Sequence, residues 1–268
     1  MDPRNPVPEP RVNQLMVRWF TWYARRYLRG HFNGLRLSRN GWQPGQVDRP
    51  LVLFSNHASW WDALIGVGVV DHFFPQRRCF APIDAAAVQK YRFFLKLGFF
   101  GVEQGTRRGA ATFLRTSETI LRDRNALLWV TPQGRFGDVR ERPLQLRSGL
   151  GHLAARAPGA VFCPLAIEYV FWEERLPEVL LRFGEPVATE ELSDASAAAS
   201  RLTRALEHTQ DQLAAEAILR EPSAFAPFLE GKFGVGGIYD YWRQLRARLR
   251  REPTDLRHAS KAPLEAAK

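Results

Sequence analysis

His57 and Asp62 stand five positions apart in Asn56-His57-Ala58-Ser59-Trp60-Trp61-Asp62, directly after the strand-like run from Leu51 to Ser55. An imidazole with an ordinary pKa near 6.5 takes up a proton at neutral pH and returns it, and a carboxylate on its far nitrogen fixes the tautomer and stabilises the imidazolium. Such a dyad would act as a general base on a hydroxyl. Geometry sets a condition: five steps along a regular α-helix turn a side chain through about 500°, leaving two residues about 140° apart on the barrel. The pair therefore needs His57 in the loop that leaves the strand, Ser59 near the cap and Asp62 in the first helical turn. Taken alone, a histidine near a strand end and an aspartate in a first turn are more often a structural hydrogen bond and a capping charge. No Gly-x-Ser-x-Gly elbow, metal-ligand cluster or cysteine with a suitable base competes elsewhere in the chain.

A strand, a loop and a helix in that order are what the dyad requires, and the chain repeats this alternation. Strand-like runs fall at Leu51 to Ser55, Arg77 to Ala81, Phe99 to Val102, Leu127 to Val130 and Val161 to Glu168, with a late one at Val179 to Phe183. Helical patterns cover Trp60 to Val70, Ala85 to Leu97, Ala110 to Asp123, Gly149 to Ala157 and Ala197 to Leu219. The fold class is α/β, a single domain with a mostly parallel central sheet flanked by helices. Basic amphipathic helices are expected at both ends. Val12, Leu15, Met16, Trp19, Phe20, Tyr23 and Tyr27 recur at helical spacing with Arg18, Arg25, Arg26 and Arg29 among them, and Ile238, Tyr241, Trp242, Leu245 and Leu249 share one face beside arginines. The first of these fits either a helix lying in a headgroup layer or one packed on its own domain. The expected organisation is a disordered lead over 1–10, a membrane-associating helix over 11–39, the α/β domain over 40–220, a Gly-rich segment and basic helix over 221–252, and a disordered tail over 253–268.

Of the 268 residues, 45% are hydrophobic and 12% aromatic, enough to fill a sizeable core. Lys and Arg number 38 against 28 Asp and Glu, a formal net charge of +10. The partner should be anionic, and nucleic acid, a phospholipid surface and an acidic carrier protein all satisfy that balance. No nucleic-acid-binding module is spelled, and arginine concentrates near the amphipathic ends, which suits lipid phosphates better. Cys79 and Cys163 lie outside any Cys-x-x-Cys pattern, so neither a disulfide framework nor a metal site is expected. The first ten residues hold four prolines and no apolar run, which argues against a signal peptide. No apolar stretch approaches the roughly 20 residues of a spanning helix.

Asn-His-Ala-Ser-Trp-Trp-Asp resembles the Asn-His-x-x-x-x-Asp signature of the glycerolipid (PlsC-like) acyltransferase family, and further blocks follow in that family's order from Leu51 to Glu168. Gly101-Val102-Glu103-Gln104-Gly105-Thr106-Arg107-Arg108 is similar to the second block, although its arginine arrives late. Val130-Thr131-Pro132-Gln133-Gly134-Arg135-Phe136 stands where Phe-Pro-Glu-Gly-Thr-Arg is common, with glutamine for glutamate and the arginine one place early. Phe162-Cys163-Pro164-Leu165-Ala166-Ile167 matches the fourth.

The resemblance implies acyl transfer from acyl-CoA or acyl carrier protein to a lipid hydroxyl, with no cofactor, His57 as general base and Asp62 orienting it. It places Gln104, Arg107, Arg108, Gln133, Gly134 and Arg135 in acceptor binding, with backbone amides near Gly134 as candidates for the oxyanion. The departures at Gln133 and Arg135 imply an altered acceptor: the arginines, Arg140 included, still suit phosphate, whereas Gln104 and Gln133 suit a sugar or other polyhydroxyl headgroup. Implied partners are the lipid acceptor, the thioester, an anionic membrane surface and an acyl carrier protein. The implied location is peripheral, on the cytoplasmic face of the inner membrane. A lipid-binding relative without turnover and a basic nucleic-acid-binding protein remain as alternatives. Trp60 and Trp61 are expected in the core.

Overall fold

The computed structural model describes residues 10–45, 47–157, 159–188 and 194–231. The lead before residue 10, the expected C-terminal helix over 232–252 and the tail beyond it lie outside the described residues. Six helices and nine strands appear among those described: α1 Gln14–His31, β1 Gly34–Ser38, β2 Leu51–Ser55, α2 Asp62–Phe73, β3 Arg78–Asp84, α3 Ala85–Lys90, β4 Phe99–Val102, α4 Arg107–Ile120, β5 Ala126–Val130, α5 Gly149–Arg156, β6 Val161–Val170, β7 Glu178–Phe183, β8 Val187–Ala188, α6 Ala195–Leu219 and β9 Phe225–Glu230.

The strands form one sheet in the order β4-β3-β5-β2-β6-β7-β1-β9, with β8 paired to β6. Every pair from β4 to β6 is parallel, as is β7 with β1, while β6 with β7, β1 with β9 and β6 with β8 are antiparallel. β2 is central: β5 flanks it on one side and β6 on the other, in register from Leu51 opposite Leu127 and Val161. In open sheets of this kind, ligands gather beyond the carboxyl ends of the strands where the order reverses. His57 follows the carboxyl end of β2.

All five residues of β2 are buried, as expected for a strand covered on both faces. Its side chains alternate between two cores. Leu51 and Leu53 point with Leu127, Trp129 and Leu165 to the layer of α1 and α2, where Ala24, Leu28, Ile65 and Val69 meet them. Val52 and Phe54 point the other way, with Leu128, Val130 and Phe162, onto Ile120 of α4, Leu153 of α5 and Leu202 and Leu206 of α6. The helices start where short polar side chains cap them: Asn13 Oδ1 accepts from Met16 N at 3.1 Å, Thr106 Oγ1 from Gly109 N at 2.9 Å and Asp194 Oδ2 from Ala197 N at 2.7 Å.

Three elements differ from the sequence expectation. The segment assigned to helix through residue 39 leaves the helix at His31, and β1 enters the sheet between β7 and β9. Leu35 and Leu37 alternate as a strand should, while Arg36 between them bonds Glu178 at 2.6 Å. β9 carries Pro227 and was invisible as a strand; at a sheet edge, where one side needs no amide, proline is tolerated. The expected helix over 85–97 breaks at Tyr91, whose φ of −127° and ψ of 74° are not helical, and resumes as a tight 3-10 turn over Arg92–Leu97 that ends at Gly98 with φ +96°. Among the described residues, no helix is long and apolar enough to cross a membrane.

Candidate active site

β2 delivers the site, and β6 aligns it. Past the last paired residues, Ser55 and Leu165, the Asn56 side chain continues the ladder by donating to Ile167 O at 2.9 Å and accepting from Ile167 N at 2.8 Å. This fixes the point at which the chain leaves the sheet. His57 comes next, in the loop; Ser59 N donates to Asp62 Oδ2 at 3.1 Å, and α2 begins at Asp62. The geometric condition for the dyad is met: His57 Nδ1 lies 2.7 Å from Asp62 Oδ2.

The two partners differ in access. The Asp62 side chain is 1% exposed and the His57 side chain 24%. Asp62 also accepts from the Tyr169 hydroxyl, at 2.5 Å to Oδ1, so both carboxylate oxygens are engaged. Burial, and then the Asp62 charge, push the Tyr169 hydroxyl well above its ordinary pKa, so it stays a donor at every physiological pH. Three donors hold the carboxylate in one orientation, and a proton placed on Nδ1 toward Asp62 leaves Nε2 as the basic nitrogen of His57. Phe136 lies against the imidazole, ring centroids 4.4 Å apart.

The sequence-predicted residues fall into two groups. Gln133 joins the dyad: it is buried, and its Oε1 accepts from His57 N at 2.8 Å, while Gly137 N donates to His57 O at 2.9 Å. Gly134 turns the chain with φ +63°, its amide already bonded to Thr131 O. Arg147 covers this turn: Nη2 donates to Gly134 O at 3.1 Å and reaches Gln104 Oε1 at 3.5 Å, so it ties the second block to the third. A Cβ on Gly134 would lie 2.2 Å from Arg147 Nε. Arg135 instead turns to Glu141, with which it forms an ion pair, and to Phe136 O. Arg140 pairs with Asp138 at 2.7 Å. Arg107 and Arg108 open α4 and are exposed.

Three residues at the site were not anticipated: Tyr169, Phe136 as the ring beside His57, and Arg147. Tyr169 alone had a readable signal, since it sits two residues past Ile167 on the inward face of β6. Trp60, expected in the core, is exposed; Trp61 packs on it as expected, edge-on against Phe32 at 4.9 Å. Burial pushes the Cys79 thiol up to about 12 and raises Cys163 as well, so neither is a thiolate at neutral pH. Among the described residues, no group of three or more His, Cys, Asp or Glu side chains is placed to hold a metal ion.

A cavity of about 480 Å³ begins at Asp62 and runs along one face of α2, past Ala63, Gly66, Val67 and Val70, to Phe74 and Pro75. α1 and β3 form its other walls, and Trp129 its floor beside Gly66. The 12 residues of α2 make it about 18 Å long. A smaller cavity of about 220 Å³ lies between the loop at Val139 to Arg142, Glu168 and α6.

A family model described as "Acyltransferase" matches residues 34–168, half of the chain. No curated protein matches. Among solved structures, the 1-acyl-sn-glycerophosphate acyltransferase PlsC from Thermotoga maritima aligns at 17% identity, covering 75% of this chain and 79% of that one with a TM-score of 0.51; at that identity the likeness speaks for a common fold. The matched region holds β1 through β5 and β6 as far as Glu168, and with them the loop of His57, the first turn of α2 and the turn at Gly134. By that match, this chain belongs to the acyltransferase family.

Proposed function

We propose that the chain moves a fatty acyl group from the thioester of acyl-CoA or acyl carrier protein to a hydroxyl of a lipid acceptor, with His57 as general base and Asp62 orienting it. The observation that carries this reading is the dyad itself: a partly exposed imidazole on a sealed carboxylate, whose residue, Asp62, also lines one end of the cavity walled by α1, α2 and β3. α2, along which the cavity runs, is about 18 Å long, comparable with one leaflet's share of a bilayer core, about 15 Å, and with the reach of a fatty acyl tail.

In the reaction, His57 Nε2 takes the acceptor's hydroxyl proton as the oxygen forms its bond to the thioester carbonyl carbon. The carbonyl electrons move onto oxygen, and their return breaks the carbon–sulfur bond. The thiolate then receives the proton from the imidazolium. General-base catalysis of this kind supplies about 10²–10⁴-fold in rate, and the Asp62 carboxylate favours the imidazolium as it forms. No acyl-enzyme is required and no cofactor takes part.

Gln104, Arg107, Arg108, Gln133, Gly134 and Arg135, together with Arg147, make up the acceptor region of this reading. It is cationic and amide-rich, suited to a phosphate or a polyhydroxyl headgroup. The enzyme would sit peripherally on the cytoplasmic face of the inner membrane, held in part by α1, with acyl carrier protein as an acidic partner and nucleic acid as none. The test is transfer of radiolabelled palmitate from palmitoyl-CoA or palmitoyl carrier protein to lysophosphatidic acid or a monoglycosyl lipid in mixed micelles. Label in an ester of the extracted acceptor is expected; label that stays in the thioester, or leaves only as free palmitate, contradicts the proposal.

A further inference from the structure

The loop from Gly137 to Leu144 is tied at one end to His57 and at the other to α6. Gly137 N donates to His57 O at 2.9 Å. Val139 O accepts from Gln210 Nε2 at 3.2 Å, Arg142 Nε donates to Asp211 at 3.0 Å, and Leu144 N donates to Glu207 Oε1 at 2.6 Å. On β6, successive side chains point to opposite faces: Tyr169 donates to Asp62, while Glu168 lines the cavity of about 220 Å³ between this loop and α6. Two groups there are not explained by packing. Gln210 lines the cavity and is 4% exposed; its Nε2 is used on Val139 O, and its Oε1 has no partner among the described residues. A buried acceptor left unsatisfied costs free energy that a ligand's donor would restore. Glu168 is half-buried, and burial holds its carboxyl above the usual carboxylate range, so a charge kept there weakens the fold at neutral pH. Both groups call for a hydrogen-bond donor.

We infer that this cavity is a subsite for a neutral polyhydroxyl group such as a hexosyl unit, held by Glu168 and Gln210 and presented by the acceptor whose hydroxyl His57 deprotonates. This rests on the proposed lipid acyl transfer and narrows its acceptor to a glycosylated lipid. Charge selects the ligand. The lining holds two guanidiniums, Arg140 and Arg142, and two carboxyls, Glu168 and Asp211. An anion would meet the carboxyls and a cation the guanidiniums, whereas each hydroxyl of a polyol both donates and accepts. It can donate to Glu168 and to Gln210 Oε1 and accept from the arginines, whose five N–H groups each exceed what their bonds here use. The space is below the roughly 300–1,000 Å³ that holds a whole drug-sized ligand, which suits a headgroup. It also lies near the dyad. Gly137, on the His57 carbonyl, and Val139, on the cavity wall, are two residues apart, at most about 7 Å of chain. One acceptor can therefore reach both. A free sugar offers the same hydroxyls, and the experiment separates the two sources.

The experiment measures transfer from palmitoyl-CoA by the full chain to a monoglycosyl lipid and, separately, to lysophosphatidic acid, beside saturation-transfer NMR of methyl glucoside. Ala214→Leu fills the cavity from a half-buried position of α6 without removing a polar group, and Ala215→Leu, at the exposed neighbouring position, is its control. Glu168→Gln exchanges an oxygen for an amide nitrogen, so it reads the cavity even where the larger side chain fails to fold. The KM for the glycosyl lipid should rise about tenfold or more in Ala214→Leu and about fivefold in Glu168→Gln, with kcat and the KM for lysophosphatidic acid unchanged. The methyl glucoside signal should fall in both, and the control should behave as wild type. Equal changes in KM for the two acceptors, no change in either cavity variant, or transfer to lysophosphatidic acid alone overturns the subsite. Lost methyl glucoside binding with an unchanged KM for the glycosyl lipid assigns the cavity to a free sugar and overturns the acceptor's share. If no acceptor is acylated, the proposed function fails by itself, and the methyl glucoside signal still decides the cavity: one that Ala214→Leu leaves unmoved overturns it.

Discussion

Tyr169→Phe isolates one bond of the site. It removes the donor to Asp62 Oδ1 and leaves that oxygen without a partner on a side chain 1% exposed. A hydrogen bond to a charged group contributes about 1.5–3 kcal/mol, and each kcal/mol moves the Tm of a domain of this size by about 2–4 °C, so a fall of about 5 °C is expected. The catalytic effect follows from where the carboxylate's charge goes. With Tyr169 gone, Asp62 leans on its remaining bond to His57 Nδ1, and the imidazolium is favoured. If half of the lost energy reappears there, the acid limb of kcat/KM against pH moves up by about 0.5–1 unit, at 1.36 kcal/mol per unit. The assay is the pH–rate profile of acyl transfer from palmitoyl-CoA beside a thermal melt. A lowered Tm with an unmoved acid limb would show that Tyr169 packs the site without acting on the dyad, and the reasoning would be wrong.

Gln133→Glu keeps an acceptor for the His57 amide but adds a carboxylate in a buried position against the His57 backbone; acceptor preference should change across a panel of lysolipids and glycolipids, and an unchanged profile removes Gln133 from the headgroup region. Gly66→Val projects into the cavity proposed for the acyl tail, beside Trp129, whose ring already lies 3.4 Å from a Cβ built at that position; competition between donors of different length should shift toward shorter chains, and an unaltered length preference would move the tail elsewhere. Burial holds the Glu168 carboxyl above the usual carboxylate range, so its contribution to stability is complete below the unfolded pKa of about 4.3 and is lost as pH rises through the folded value. Glu168→Gln should therefore raise the Tm relative to wild type at pH 7 and leave it little changed near pH 4; a variant no more stable at pH 7 would count against burial acting on this half-buried carboxyl.

The parallel core was legible because its strands are buried on both faces and read as near-continuous apolar runs, as in Leu51 to Ser55 and Ala126 to Val130. β1 and β9 were not, because Arg36 and Pro227 interrupt their patterns and each is explained only by a neighbour distant in sequence, Glu178 for the one and the sheet edge for the other. The dyad was legible only from its spacing together with the ordered blocks that follow it from Leu51 to Glu168, since the spacing alone fits a structural histidine and a capping aspartate as well. Its supports were hidden by distance in sequence, Tyr169 in spite of its inward-facing place on β6. Tyr169 reaches Asp62 across 107 residues of sequence, and Arg147 reaches Gly134 from a loop without a pattern of its own. Periodicity was ambiguous for α1 for a physical reason: the helix carries apolar residues on two faces, one for the core and one exposed, and a stripe count does not separate them.

The central claim is that the His57 imidazole removes the acceptor's proton. It is tested most directly by the rate of thioester-dependent acyl transfer in His57→Ala, measured beside sedimentation with anionic vesicles. His57 is partly exposed and lies outside both cores, so the variant should fold and bind vesicles as wild type while transfer falls by about 10²–10⁴-fold. Turnover within a few-fold of wild type would contradict the account, whatever else binds to the cavity.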